Sequence, residues 1–460
     1  MSQLEQVLAR IDTDLDSSLE RLFAWLRIPS ISTDPAYKDD CRRAGEWLVQ
    51  DLTGLGVAVG LRETKGHPVV LGHAGGQGGP RVLFYGHYDV QPVDPLDLWD
   101  TPPFEPKVVT LPDGRKVISA RGACDDKGQV MTFVEACRAW KAVTGSLPLD
   151  ITFLVEGAEE DGSKFLPEFV EANRDELKAD VALVCDTGMW DQDTPSITSS
   201  LRGMVYEEII VRCADRDLHS GLFGGAAQNP IHVLAKIIAD IHDTNGGITI
   251  KDFYEGVPQV PSQLLEQWKK LDLRAEDFLG QVGLRISAGE KDHMLIEQIQ
   301  SRPTCDINGI IGGYTGEGTK TVIAGEARCK VSFRLVGDQD PARISADFEA
   351  FVRERIPEDC SVEFIRHKGS RAIALPFDMP ALTAAKAALA DEWNKEAVAI
   401  GSGGSIPIVG DFKRTLGLDT LLVGFGLDDD RVHSPNEKYD LRSFHKGIRS
   451  WARILAALAR

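Results

Sequence analysis

Three short, almost unbroken apolar runs constrain this chain most: "RVLFYG" at 81–86, "ITFLV" at 151–155 and "VALVC" at 181–185. A strand with one wet face alternates apolar and polar residues. A strand that is apolar at successive positions must be covered on both faces. Helical patterns at 39–54 and 128–143 lie between these runs. Buried strands alternating with helices predict an α/β domain around a mainly parallel sheet. At the N-terminus, Leu4, Val7, Leu8, Ile11, Leu15, Leu19, Leu22, Phe23 and Leu26 recur at helical spacing with Asp, Glu and Arg between them. That spacing reads as a surface helix and not as a signal peptide, which makes a cytoplasmic location the default expectation. No apolar run reaches the roughly 18 residues of a membrane span, so no membrane partner is expected.

The pattern changes after residue 200. A strand is expected at 203–213, a helix at 230–242, strands at 306–312 and 322–336, a helix at 341–355 and a strand at 361–366. This βαββαβ order is ferredoxin-like. Residues 243–304 form an insertion within it. The first pattern then resumes, with a helix at 380–394, a strand at 420–424 and a helix at 440–459. With 460 residues, two cores are the natural division. The expected domains are 1–200 with 373–460, and an inserted domain at 201–372.

The formal net charge of −19 weighs against nucleic acid and anionic membranes, because both require basic patches. It is compatible with binding metal cations. Eight cysteines are scattered through apolar segments without a CxxC pair. They read as reduced thiols, neither nucleophiles nor zinc ligands.

Acidic and histidine residues gather where strands end. "VLFYGHYDVQP" offers His87 and Asp89, and a ligating histidine commonly gives its second ring N–H to a carboxylate. "SARGACDDKGQV" sets Asp125 and Asp126 before a helix, where an Asp could equally serve as an N-cap. "EGAEEDGS" holds Glu159 and Glu160 side by side. On an extended backbone these would point in opposite directions, so one could ligate a metal while the other faced a water. "VALVCDTG" ends a strand at Asp186, and "GLDDDRVHSPNEK" places His433 after the strand 420–424. Each alone is ordinary. Together they converge outside the carboxyl ends of the strands, where open α/β sheets bind ligands. Two histidines and three carboxylates without cysteine suit two divalent ions such as zinc, manganese or cobalt, with one carboxylate shared.

These motifs, with "HYDVQP", "GACDDKGQ", "CDTG" and "VHSPNEK", resemble those of the dinuclear metallopeptidases that include carnosine-type dipeptidases, glutamate carboxypeptidases, desuccinylases and aminoacylases. The resemblance implies that His87, Asp125 and Asp186 hold one ion and that Asp125, Glu160 and His433 hold the other. It makes Asp89 the residue that orients His87, and Glu159 the general base. It also implies a cis peptide between Asp125 and Asp126. The small domain is similar to that of the cytosolic dipeptidase branch, where it acts as a lid and homodimerisation domain. By that resemblance His219 in "DLHSGLFGG" reaches the site of a second copy. Thr321 and Arg334 in "TKTVIAGEARCKVSFRLV" and Ser405 in "GSGGSIPIV" meet the substrate. Cys124 stands where such proteins commonly carry Ser or Thr. The implied activity is hydrolysis of dipeptides or very short peptides. An N-acyl or N-succinyl amino acid deacylase and an inactive scaffold are the competing expectations.

Overall fold

The computed structural model describes residues 1–403 and 406–459, and the chain clusters into two compact units. The larger comprises 1–199, 375–400 and 407–459, and the smaller 200–374 with 401–403 and 406. The glycine-rich segment 401–403, which the sequence assigned to the larger domain, clusters with the smaller unit instead. Two hydrogen bonds tie it there: Gly401 N–H donates to the Gln300 side-chain oxygen, and Arg202 N–H donates to the Ser402 carbonyl.

In the larger unit, four parallel strands form the middle of a mixed sheet. Asp150–Glu156, Arg81–His87, Val181–Val184 and Thr420–Leu422 lie side by side in that order. Arg81–His87 is buried at every position after its first, as an apolar run flanked on both sides requires. Antiparallel strands complete the edges. Ala58–Arg62 and Val69–Ala74 pair beside Asp150–Glu156, and Ser196–Leu201 meets Thr420–Leu422. The helix Lys127–Thr144 is buried along most of its length and stacks Phe133 on Phe84, with ring centroids 3.8 Å apart. Trp451, from the helix Leu441–Leu458, packs edge-on against both rings. The sheet core therefore fixes the end of Arg81–His87, from which His87 projects.

A separate three-stranded sheet was not evident in the sequence. Lys107–Thr110 and Lys116–Ser119 form a hairpin, and Lys438–Asp440 joins it with Lys438 opposite Ser119. These strands have three or four residues each, too few to show a period. Their pairing carries the loop before Lys438 to the loop after Ser119.

In the smaller unit, the four main strands run in the order Thr304–Gly312, Glu326–Leu335, Gly203–Arg212, Ser361–Arg366, all antiparallel. The helices Pro230–Asp240 and Pro341–Arg353 contribute Val233, Leu234, Ile237, Phe348 and Val352 to its core, beside Val205, Ile209 and Phe333 of the sheet. The continuous strand expected over 322–336 is interrupted. Val322–Ile323 pairs with Leu218–His219, and Glu326–Leu335 belongs to the sheet. Gly325 makes the break: its N–H donates to Asp217 and its carbonyl accepts from Cys213. A Cβ at Gly325 would sit 3.1 Å from the Arg216 backbone. The insertion 243–304 contains the helices Ser262–Leu271, Ala275–Gly280 and Leu295–Gln300.

Candidate metal centre

His87 ends its strand fully buried. Its Nε2 lies 3.0 Å from Asp125 Oδ1 and 3.9 Å from Asp186 Oδ2. Its Nδ1 is 3.1 Å from the Asp89 carbonyl and 3.4 Å from the Asp89 carboxylate. Asp89 does touch His87, but more closely through its main chain than through its side chain. Its carboxylate has other partners. It accepts from Ser32 Oγ at 2.6 Å, Glu159 N–H at 3.2 Å and Glu160 N–H at 3.0 Å. Asp89 therefore positions the Glu159–Glu160 backbone as well as the histidine.

That arrangement corrects the geometric reason for separating the two glutamates. The strand stops at Glu156, and 159–162 is a turn, closed by the hydrogen bond from Gly162 N–H to the Glu159 carbonyl. Alternation along an extended chain is not what divides them. Glu160 Oε2 lies 3.3 Å from His433 Nε2 and accepts from the Gln91 amide at 2.6 Å. The Glu159 carboxyl is partly buried, and burial raises its pKa. The nearby charges acting on it are His87, Asp89, Asp125 and His433.

Asp125 stands between two histidines. Oδ1 faces His87 and Oδ2 faces His433 Nε2 at 2.9 Å. The Asp125–Asp126 peptide is cis. His433 has a φ of 63° and a half-exposed side chain. A non-glycine residue in the left-handed region is a conformation that surrounding structure must hold, and such residues cluster at functional sites.

The brace behind Asp125 is Glu437, a residue that sequence reasoning did not single out. Its buried carboxylate accepts from Gly122, Cys124 and Asp125 N–H and from Arg121 Nη1, at 2.8–3.1 Å. Glu437 lies inside "VHSPNEK", but only the pairing of Lys438–Asp440 with Lys116–Ser119 brings it to the loop it braces. Gln91 was likewise visible in "HYDVQP" without a signal of its role. Cys124 is buried, with its Sγ 3.4 Å from Asp430.

Two groups of donor atoms result. His87, Asp125 and Asp186 form one, and Asp125, Glu160 and His433 the other, with all donor atoms in each group within 4.8 Å of one another. Without cations this cluster retains protons. Burial, then the charge of Asp125, pushes Glu160 up to about 8 and Asp186 up to about 7. Its hydrogen bond to Asp125 raises His433 to about 9. Burial opposes a charge on His87, but hydrogen bonds to Asp125 and Asp89 outweigh it and hold its pKa well above the usual range. The two histidines hold Asp125 well below the carboxylate range against its own burial. Carboxylates buried this close to one another call for positive charge. Oxygen and imidazole donors in two triplets that share Asp125 fit a pair of divalent cations.

The remaining expected residues are not members of these two groups. His219, Thr321 and Arg334 belong to the smaller unit, and Ser405 lies outside the described residues. His219 is exposed and accepts from Gly221 N–H, capping the short helix Ser220–Phe223. Thr321 is exposed and accepts from Ser220 N–H through its carbonyl. Arg334 is half-buried on Glu326–Leu335.

Comparison with known proteins agrees with this chemistry. The model of peptidase family M20/M25/M40 matches residues 83–457. The Cys-Gly metallodipeptidase DUG1 of Candida albicans is 31% identical over 94% of this chain and 92% of the relative. The human Beta-Ala-His dipeptidase is 29% identical over 99% of this chain and 93% of the relative. The crystal structure of human carnosine dipeptidase 1 is similar with a TM-score of 0.76 and 28% identity, covering 100% of this chain and 99% of that one.

Proposed function

The chain belongs to peptidase family M20/M25/M40, and on that premise we propose that it hydrolyses the amide bond of dipeptides or very short peptides with two divalent metal ions. It is a metallodipeptidase. The observation that carries this reading is Asp125, with one carboxylate oxygen toward His87 and the other toward His433. His87 and Asp186 would complete one ion's ligands, and Glu160 and His433 the other's. When bound, the ions would lower the pKa of a shared water toward about 7 and polarise the scissile carbonyl. Zinc, manganese or cobalt suits the donor set.

Glu159 takes the proton of the attacking water and delivers it to the leaving amine. Its partial burial supports this role, because a raised carboxyl pKa brings a base closer to working pH. Asp89, by accepting both the Glu159 and Glu160 N–H groups, fixes base and ligand relative to each other. His219, supplied by a second copy of the chain, stabilises the oxyanion, and Thr321, Arg334 and Ser405 meet the carboxylate end of the substrate.

The smaller unit is read as a ferredoxin-like lid inserted into the catalytic domain, and also as the dimer interface. Its strand Thr304–Gly312 is at a sheet edge, with Ile310 and Ile311 more than half exposed. An apolar open edge is a template for pairing with another chain. All eight cysteines are free, in keeping with a reducing, cytoplasmic setting. Among the described residues no helix is long and apolar enough to cross a membrane.

The test is a hydrolysis screen of unblocked dipeptides and N-acyl amino acids, with protein stripped of metal and reloaded with zinc, manganese or cobalt. Dipeptide turnover that returns on reloading is expected. Preference for N-acyl amino acids would move the protein to the deacylase reading. Glu159→Gln should keep its metal content and lose roughly 10²-fold or more in kcat. A variant that retained most of its turnover would remove Glu159 as the base.

A further inference from the structure

Six of the eight cysteines are buried, and the other two, Cys213 and Cys360, are partly exposed. Both belong to the smaller unit and flank adjacent strands. Cys213 directly follows Gly203–Arg212, and Cys360 directly precedes Ser361–Arg366. In that antiparallel ladder Arg212 is opposite Ser361. One step outward along the same register sets Cys213 opposite Cys360. The two thiols are in hydrogen-bond contact.

The main chain at this pair has the geometry a disulfide needs. The Cys213 N–H donates to the Gly325 carbonyl, away from Cys360, and the Cys360 N–H donates to the Pro357 carbonyl. Opposed residues whose N–H groups do not bond each other form the closer class of antiparallel pair, with Cα atoms about 4.5 Å apart. Disulfides span Cα separations of roughly 4.4–6.8 Å. The pleat puts both side chains on one face. Val211 and Val362, two residues inward on each strand, are opposite each other and pack with Cys213 on the core of the unit.

The two thiols differ chemically. Burial, then the hydrogen bond to Cys360, pushes Cys213 up to about 12. Cys213 therefore keeps its proton and donates it, which leaves Cys360 as the sulfur that ionises first. Cys360 adjoins an outer strand of the sheet, at the opposite edge from Thr304–Gly312. Pairing through Thr304–Gly312 would leave this edge uncovered. No other two cysteines of the unit face each other: Cys305 is opposite Phe333, and Cys329 lies between Ile310 and Ile209.

We propose that Cys213 and Cys360 are a redox site that closes reversibly into a disulfide by exchange with low-molecular-weight disulfides. The Cys360 thiolate attacks one sulfur of the small disulfide, forms a mixed disulfide and expels one small thiol. Cys213 gives up its proton and attacks the Cys360 sulfur, which expels the second small thiol. The protein loses two electrons and two protons, and the small disulfide is reduced to two thiols. In a reducing setting the bond would be transient, as redox-sensing disulfides are. The inference is independent of the peptidase reading.

The test equilibrates the full-length, metal-loaded protein with glutathione buffers of rising oxidised fraction, quenches with an alkylating reagent and maps the peptides without reduction. A peptide pair linked through Cys213 and Cys360, two hydrogens lighter than the separate peptides and released by dithiothreitol, is expected. The six buried cysteines should be alkylated only after unfolding. Cys213→Ser removes the resolving thiol and should accumulate a stable glutathione adduct at Cys360. Cys360→Ser should take up at least about 10-fold less glutathione at Cys213 over the same time. Absence of the linked pair at every ratio would overturn the proposal. So would linkage of either cysteine to a different partner, or a stable glutathione adduct on wild type in place of the link. Equal adduct formation by the two variants would overturn the assignment of Cys360 as the attacking sulfur.

Discussion

Glu437 shows how much of the site depends on one side chain outside the expected ligand set. Its four hydrogen bonds hold the backbone at Gly122, Cys124 and Asp125 and the guanidinium of Arg121. Removing one partner of a buried ion pair leaves the other charge uncompensated, at a cost of roughly 3–5 kcal/mol. A residue that orients a metal ligand typically changes affinity for the ion by about 10–100-fold. Glu437→Gln should therefore lower the thermal midpoint and weaken zinc binding within that range, as read by competition with a chromogenic chelator. Unchanged affinity would make Glu437 a purely structural brace. Asp89 belongs to the same scale. Both lie inside quoted motifs, but which backbone groups they hold could be read only from the folded chain.

At the scale of elements, the long and strongly patterned segments were legible in advance. Arg81–His87, Asp150–Glu156, Lys127–Thr144 and the amphipathic N-terminal helix Gln3–Leu26 lie close to where the apolar periods put them. The run 322–336 misled because its β-forming residues continue through Gly325, whose contacts with 213–217 break the strand. The edge strand Thr304–Gly312 carries the element-scale prediction. Ile311→Lys places a charge on an exposed apolar edge, and such charges block strand pairing. Sedimentation should show the variant shifted toward monomer relative to wild type. A wild type that is monomeric at micromolar concentration, or an equally dimeric variant, would contradict the edge as the interface.

At the scale of the whole molecule, the metal centre links stability to pH. In metal-free protein Glu160 and Asp186 have folded-state pKa values near 8 and 7, raised by burial and by Asp125. A carboxyl raised above its usual value near 4 stabilises the fold fully below that value and loses the contribution as pH rises through the folded one. His433, raised to about 9 by Asp125, acts in the same direction. Asp125 is depressed, so its contribution is lost only in acid. Metal-free protein should therefore fall in thermal midpoint from pH 6 to 9. Cations replace those protons, so the loaded protein should bind more tightly and gain midpoint over the same interval. Differential scanning with chelator or with added zinc reads both curves. A metal-free midpoint that is flat or rising would refute the proton-holding cluster.

The donor types, their order and their places after buried strands or before a helix were legible along the linear chain, because apolar period and local composition are properties of neighbours in sequence. Tertiary structure alone decided that Asp89 anchors the Glu159–Glu160 turn, that Glu437 braces Asp125 from more than 300 residues away, and that the 401–403 segment lies against Arg202. These are contacts between segments distant in sequence. Short strands and glycine-mediated close approaches bring them together, and neither leaves a periodic signature for a linear reading to detect.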